Sequence, residues 1–325
     1  MSPGPPDGGP ADGPAGVPAG APPPGLDALA ATFGLDPEDA QEIRAASRHV
    51  VRFPASRVLT VAGPDGLDGP RREVAMAGLL ADAGVPATRC LAGPALIDGW
   101  AVTAWREVAP VDPAAEVAPA TLGALAARFH RSTSGLDPRG ITLCDPVGAA
   151  LAQVAVAVEV GATGEGELAV LRSQATRLED VWRDAAEAMG GADAATTGAG
   201  ADHLRAGAVV HGDLHAGNAI VGRDGPVAID LELAGWGPRA YDAAPTVAGT
   251  RWYGRPPSDR AAFDTAYGAP LTEVARDQGL DEVWALWATA WAVANRHRSP
   301  EAEAEAAVRV ATLATGAAPR PWRLR

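Results

Sequence analysis

Apolar and polar residues recur with two different periods along this chain, and the period changes near residue 110. Before that point the runs are short and strand-like. VVRF (50–53) and RVLTVA (57–62) flank a PAS turn and predict a β-hairpin. Ala95–Ile97 and Trp100–Val108 flank Asp98-Gly99, a dipeptide suited to a tight hairpin turn. Two helices are expected among these strands. One is capped by Asp36-Pro37 and runs through about Ala46. The other opens at Pro70 and runs through about Asp82, with Val74, Leu79 and Leu80 on its apolar side. After Pro110 a helical period dominates, most clearly over 121–130, 149–160, 168–189, 281–296 and 300–314.

The organisation follows from these patterns. Residues 1–25 are almost all Pro, Gly, Ala and Asp and read as a disordered tail. Residues 26–108 form an N-terminal lobe and 109–315 a larger helical lobe, with 316–325 as a tail. GGADAATTGAGAD (190–202) reads as a low-complexity loop.

Composition narrows the chemistry. The net charge of −13 argues against a nucleic-acid partner, which needs a basic face. No lysine occurs, so the 27 basic residues are all arginine. A Walker A loop needs its lysine, so P-loop chemistry is excluded. No apolar run of membrane length and no secretory leader pattern is visible, and two cysteines do not make a disulfide framework. A cytoplasmic protein with no membrane partner is expected.

The densest polar cluster is VVHGDLHAGNAIVGRDGPVAIDLE (209–232). Val209-Val210 predicts a strand, His211–Asn218 a polar loop, and Ala219–Asp230 a hairpin around Arg223-Asp224-Gly225. A turn centred on Asp224 would set Asn218 opposite Asp230 at the open end. An amide oxygen beside a carboxylate suits Mg²⁺. Asp213, in the same loop, is placed to accept a proton from a hydroxyl.

HGDLHAGN (211–218) followed by IDLE (229–232) resembles the aminoglycoside phosphotransferase and choline-kinase-like family. LAARFH (125–130), GPRAYDAA (237–244) and REVAMAGLLADAGVPA (72–87) fit the same pattern. The resemblance runs from about Val50 to Ala314. It implies an α+β, two-lobed protein-kinase-like fold, with a small β-rich N-terminal lobe holding one main helix and a larger helical C-terminal lobe. It implies a Mg²⁺-assisted transfer of phosphate from ATP or GTP to a hydroxyl of a small molecule, such as an aminoglycoside or amino alcohol. Asp213 would then be catalytic, Asn218 and Asp230 would hold the metal, and His211, His215, Glu232 and Asp242 would support them. Glu73 would face the phosphate-binding cation, and Arg106, Glu107 and Val108 would border the adenine.

One position departs from the family pattern. Thr60 stands where the family has a phosphate-binding Lys or Arg. If the first hairpin pairs around Ala55, Arg52 lies opposite Val58 and diagonal to Thr60 on one face. Arg52 can then supply the missing charge, with Arg57 in reserve. If neither does, a nucleotide- or ligand-binding pseudokinase is the alternative. A further alternative reads His211, Asp213 and His215 as an H-x-D-x-H cluster for Zn²⁺ in a metallohydrolase. Trp284, Trp287 and Trp291 share a helix face and read as a core stripe or a stacking wall. His130 reads as packing, Asp242 as a helix cap propping the loop, and Arg320, Arg323 and Arg325 as a basic tail without a mechanism.

Overall fold

The computed structural model describes residues 23–323, apart from 39, 46–48, 55–56, 63–66, 190–203 and 205. Most of the expected N-terminal tail and the whole 190–202 loop lie outside the described residues. By its internal contacts the chain divides into two units. The first is Met1–Arg71 with Cys90–Glu107, and the second is Arg72–Arg89 with Val108–Arg325.

The first unit is built on an antiparallel five-stranded sheet in the order β1-β2-β3-β5-β4. Its strands are β1 (Gln41–Ala45), β2 (His49–Phe53), β3 (Arg57–Ala62), β4 (Cys90–Ile97) and β5 (Trp100–Arg106). Alternation decides its faces. Val51, Phe53, Leu59, Val61, Val102 and Ala104 are buried with Leu29 and Ala30 of α1 (Leu26–Phe33). The intervening residues, Arg52, Val58 and Thr60, are carried on the opposite face. The first hairpin has the expected register, with Arg52 opposite Val58. Asp98 and Gly99, at φ 50° and 82°, turn β4 into β5 as their sequence predicts.

The helix expected from Pro37 to Ala46 is absent. Asp36 instead accepts a hydrogen bond from the Glu38 N–H through its side chain, 3.0 Å, and Gln41–Ala45 pairs as an edge strand with β2. The same Asp-Pro that can cap a helix has made a local turn, and strand pairing took the residues that follow.

Helix α2 (Asp68–Asp82) begins in the first unit and continues in the second. Its buried stripe is Glu73, Met76, Ala77 and Leu80, so the stripe is rotated from Val74 and Leu79 and carries an acid. The segment after it joins the second unit through backbone bonds. Thr88 N donates to Ala228 O, 2.8 Å, and Ala228 N to Pro86 O, 2.9 Å.

The second unit is mainly helical: α3 (Pro119–Thr133), α4 (Pro146–Glu159), α5 (Glu165–Glu187), α6 (Ala244–Trp252), α7 (Ser258–Tyr267), α8 (Leu271–Asp277), α9 (Leu280–Ala294) and α10 (Pro300–Thr315). Asp145 and Ser299 cap α4 and α10, each followed by proline at the first helical position. Helix α9 is buried on nearly every side and packs against α4, α5, α6 and α10. Gly123 of α3 lets α7 approach closely, since a Cβ there would lie 2.2 Å from Phe263 O. Two short ribbons stand among the helices, β6 (Gly207–Val210) with β9 (Gly235–Pro238), and β7 (Ala219–Gly222) with β8 (Gly225–Ala228). Among the described residues no helix is long and apolar enough to cross a membrane.

Candidate active site

Strand β6 is wholly buried and delivers the chain into the polar loop 211–218. Gly212 is required at its first turn. Its φ is 83°, and a Cβ would lie 2.6 Å from Leu233 O. His211 is fully buried and its ring is spent on backbone. Nε2 donates to Ile229 O at 2.9 Å, which leaves Nδ1 to accept from Asp213 N at 3.3 Å. Both nitrogens are engaged, so this ring has no lone pair for Zn²⁺. Among the described residues no three His, Cys, Asp or Glu side chains gather into a metal cluster. The H-x-D-x-H reading fails on that geometry.

Asp242 holds the loop from beneath. Its fully buried carboxylate accepts three hydrogen bonds: His211 N at 3.1 Å, Gly212 N at 3.0 Å and His130 Nε2 at 3.0 Å. It does not cap α6, which starts at Ala244 with no side-chain cap. His130 is more than packing. Its Nε2 holds Asp242 and its Nδ1 meets the Tyr267 hydroxyl at 3.0 Å. Burial pushes the His130 pKa down against the pull of Asp242, so the neutral ring joins carboxylate to phenol by hydrogen bonds.

Asp213 is 16% exposed and is gripped by two elements. Oδ1 accepts from Trp284 Nε1 of α9 at 2.7 Å, and Oδ2 accepts from Asn218 Nδ2 at 3.1 Å. His215 Nε2 stands 3.5 Å from Oδ2, while His215 Nδ1 accepts from Gly217 N at 2.9 Å. Burial alone would raise the Asp213 pKa. His215 and the Trp284 hydrogen bond outweigh it and hold the carboxyl below its usual range. Trp284 is thus a site residue that its helical spacing assigned to the core or to stacking.

Asn218 also donates to Asp213 O, 3.0 Å, so its amide nitrogen faces two oxygens and its Oδ1 points the other way. The hairpin register differs from expectation by one residue. Gly222 pairs with Gly225, leaving Arg223-Asp224 as a two-residue turn, and Ile229 N donates to Asn218 O at 2.9 Å. Asn218 therefore faces Ile229 rather than Asp230. Asp230 follows with φ 62°, a left-handed conformation that breaks the alternation an extended strand would impose. The donors here, an amide oxygen and a carboxylate, are hard oxygens of the kind Mg²⁺ takes. Glu232 is exposed in the turn beyond.

The remaining expected residues lie elsewhere. Arg52 Nε stands 2.6 Å from Glu107 Oε1, and its Nη1 donates to Gln41 Oε1 at 3.3 Å. The Thr60 hydroxyl accepts from Trp105 Nε1 at 3.0 Å. Glu73 is buried on α2, Arg106 is exposed at the end of β5, and Val108 opens the segment that runs beside β7, where Val111 N donates to Val221 O. Beside the loop, His215 and Trp284 line a cavity of about 260 Å³ whose walls include Tyr253, Trp322, Arg255 and Asp259. Of these lining residues, His215 and Trp284 also touch Asp213.

This loop, ribbon and helical frame define a protein-kinase-like phosphotransferase of the small-molecule type. The chain belongs to the phosphotransferase enzyme family APH, whose model matches residues 45–280. Solved structures with the same fold include the amicoumacin kinase hAmiN in complex with AMP-PNP, Ca²⁺ and Ami, at 14% identity over 91% of this chain and 95% of that one, TM-score 0.60. A microcompartment-associated aminopropanol kinase is 18% identical over 89% and 94%, TM-score 0.59. The aminoglycoside phosphotransferase APH(3'')-Id from Streptomyces rimosus, with ADP and streptomycin, is 20% identical over 79% and 96%, TM-score 0.55. No curated protein matches the chain.

Proposed function

We propose that the chain transfers the γ-phosphate of ATP, or of GTP, to a hydroxyl of a small molecule held in the cavity beside His215 and Trp284. The observation that carries this reading is the partly exposed Asp213 carboxylate, fixed by Trp284 and Asn218 at the edge of the cavity that Trp284 and His215 line. Its lowered pKa keeps it ionised at neutral pH. It orients the acceptor hydroxyl and takes the proton as the bond to phosphorus forms. A weak base is sufficient, because phosphoryl transfer passes through a loose transition state and needs mainly positioning.

Asn218 and Asp230 are the residues that would hold Mg²⁺, which when bound neutralises charge on the nucleotide phosphates. Asp242 and His211 keep the loop in shape for both tasks, and His215 keeps the Asp213 charge in place. Arg52 supplies the phosphate-binding charge in the place of Thr60, on exchanging Glu107 for nucleotide. Arg106, Glu107 and Val108 border the base. The acceptor class that the reading favours is an amine-bearing alcohol, such as an amino alcohol or an aminoglycoside. A reducing, cytoplasmic setting belongs to this reading, since two cysteines make no disulfide framework.

The test is ATP turnover by the full chain against a panel of hydroxylated amines, with Asp213→Ala as control. Turnover with at least one acceptor, lost in the variant, is the expected result. The Thr60–Trp105 bond and the Arg52–Glu107 pair favour a second reading, a nucleotide-binding pseudokinase. A thermal shift with Mg·ATP and no turnover with any acceptor would select it.

A further inference from the structure

Residues 316–323 fold back on the helical unit and place one aromatic side chain in the cavity wall. Trp322 is 2% exposed. Its backbone N–H donates to Trp252 O at 2.8 Å and its Nε1 to Thr312 Oγ1 at 3.0 Å. Its ring stacks on Trp252 with centroids 5.2 Å apart and meets the Tyr253 ring edge-on at 5.5 Å. A buried carboxylate fastens the segment. Glu305 of α10 is 2% exposed and accepts from Arg309 Nε, the Arg323 backbone N–H and Arg320 Nη1, at 3.0, 2.8 and 2.8 Å. Arg309 adds a bond to Arg323 O, 2.7 Å, and lies over the Trp322 ring. Anchoring of this density is far more than an exposed basic tail requires.

What the strap achieves is visible in the cavity. Trp322, Tyr253 and Trp284 give it an aromatic side. The charged residues in its wall are Glu116, Arg255 and Asp259, joined by Arg255 Nη1 to Glu116 at 3.0 Å and Arg255 Nε to Asp259 at 2.8 Å. A purely polar acceptor would bury hydroxyl or amine groups against the aromatic side without hydrogen-bond partners, at a cost in affinity.

We propose that Trp322 is a specificity-determining residue that fixes the aromatic side of the cavity and so selects amphiphilic acceptors, those with an apolar ring or chain beside their polar groups, and that Glu305 is a positioning residue acting through it. The inference rests on the reading of this cavity as the acceptor site. It is tested by binding alone, in the absence of nucleotide. Calorimetric titration of the full chain compares 2-amino-1-phenylethanol with 1-amino-2-propanol, a matched pair in which phenyl replaces methyl. The phenyl compound should bind about tenfold more tightly. Trp322→Ala should bring the two affinities together, and Trp322→Phe should retain the preference. Glu305→Gln should weaken the phenyl compound selectively, whereas general loosening of the fold would weaken both. Equal affinities in the native chain, no binding of either compound at millimolar concentration, or an unchanged preference in Trp322→Ala would overturn the proposal. Preference without turnover would refute the catalytic reading instead, and turnover without preference would refute this one.

Discussion

The loop 211–218 and the Arg52–Thr60 corner of the sheet are both polar clusters, and they are built differently. In the loop Asp213, His211 and the backbone are held from outside it, while Asn218 and His215 are bonded within it. Asp213 is held by α9, the loop backbone by Asp242, and His211 by Ile229. In the sheet the polar groups bond to neighbouring strands or to the residue just past them, and Arg52 keeps 40% of its side-chain surface in water. The first arrangement fixes positions to within a rotamer. The second leaves a charge able to change partners. A reacting hydroxyl needs the former and a phosphate tail tolerates the latter, so the contrast matches the division of labour in phosphoryl transfer.

The comparison can be broken at its strongest point first. Asp242→Ala leaves the His211 and Gly212 N–H groups and His130 Nε2 without their acceptor in a buried site. We expect a loss of at least about 3 kcal/mol by denaturant unfolding, because an orphaned buried donor loses its full desolvation energy. Activity should fall with it. A loss under about 0.5 kcal/mol, the level of ordinary surface substitutions, would mean that the loop holds its own shape.

Trp284→Phe comes next. It keeps the ring and removes the donor to Asp213 Oδ1. A hydrogen bond to a charged group contributes about 1.5–3 kcal/mol, so kcat should fall by about ten- to a hundredfold. The pH profile gives a second readout. The folded chain holds Asp213 below the ordinary carboxylate range, so the ionised form is favoured above that range and lost as pH falls through the lowered value. The acid limb of activity should therefore move to higher pH in the variant. An unmoved limb would show that the indole does not tune Asp213.

The smallest effect is expected in the sheet. Arg52→Ala removes a half-exposed ion pair, so stability should change by less than about 1 kcal/mol. The ATP KM should nonetheless rise several-fold, with kcat less affected. An unchanged KM would take the phosphate-binding role from Arg52 and leave Thr60 without a substitute.

How legible each region was follows from the physics that fixed it. Period-2 alternation was sufficient for the first hairpin, down to the Arg52–Val58 register, and Asp98-Gly99 for the second turn, while of β4 only Ala95–Ile97 was legible. The edge strand Gln41–Ala45 was not legible, because Asp36-Pro37 serves a turn as well as a helix start. The loop motif was visible as spacing, but the hairpin after it was read one residue out. A two-residue turn with Gly225 at φ 110° closes it, and only the strand pairing distinguishes that from a turn centred on Asp224. Trp284 carried no separate signal, since an indole at helical spacing looks the same whether its N–H meets a carboxylate or solvent. The tail around Trp322 was illegible for a similar reason. Arginine spacing alone does not show that a buried glutamate on α10 receives it.

The central claim is that Asp213 receives the acceptor proton while Asn218 and the rest of the loop hold it in place. The most direct measurement compares Asp213→Ala with the native chain, under one set of conditions, for Mg·ATP affinity and for kcat with an accepted alcohol. The account predicts that kcat falls by about 10²–10⁴-fold, the usual contribution of a positioned base, while the variant stays folded and its nucleotide affinity stays close to native. Retained kcat in a folded variant that still binds nucleotide would contradict it.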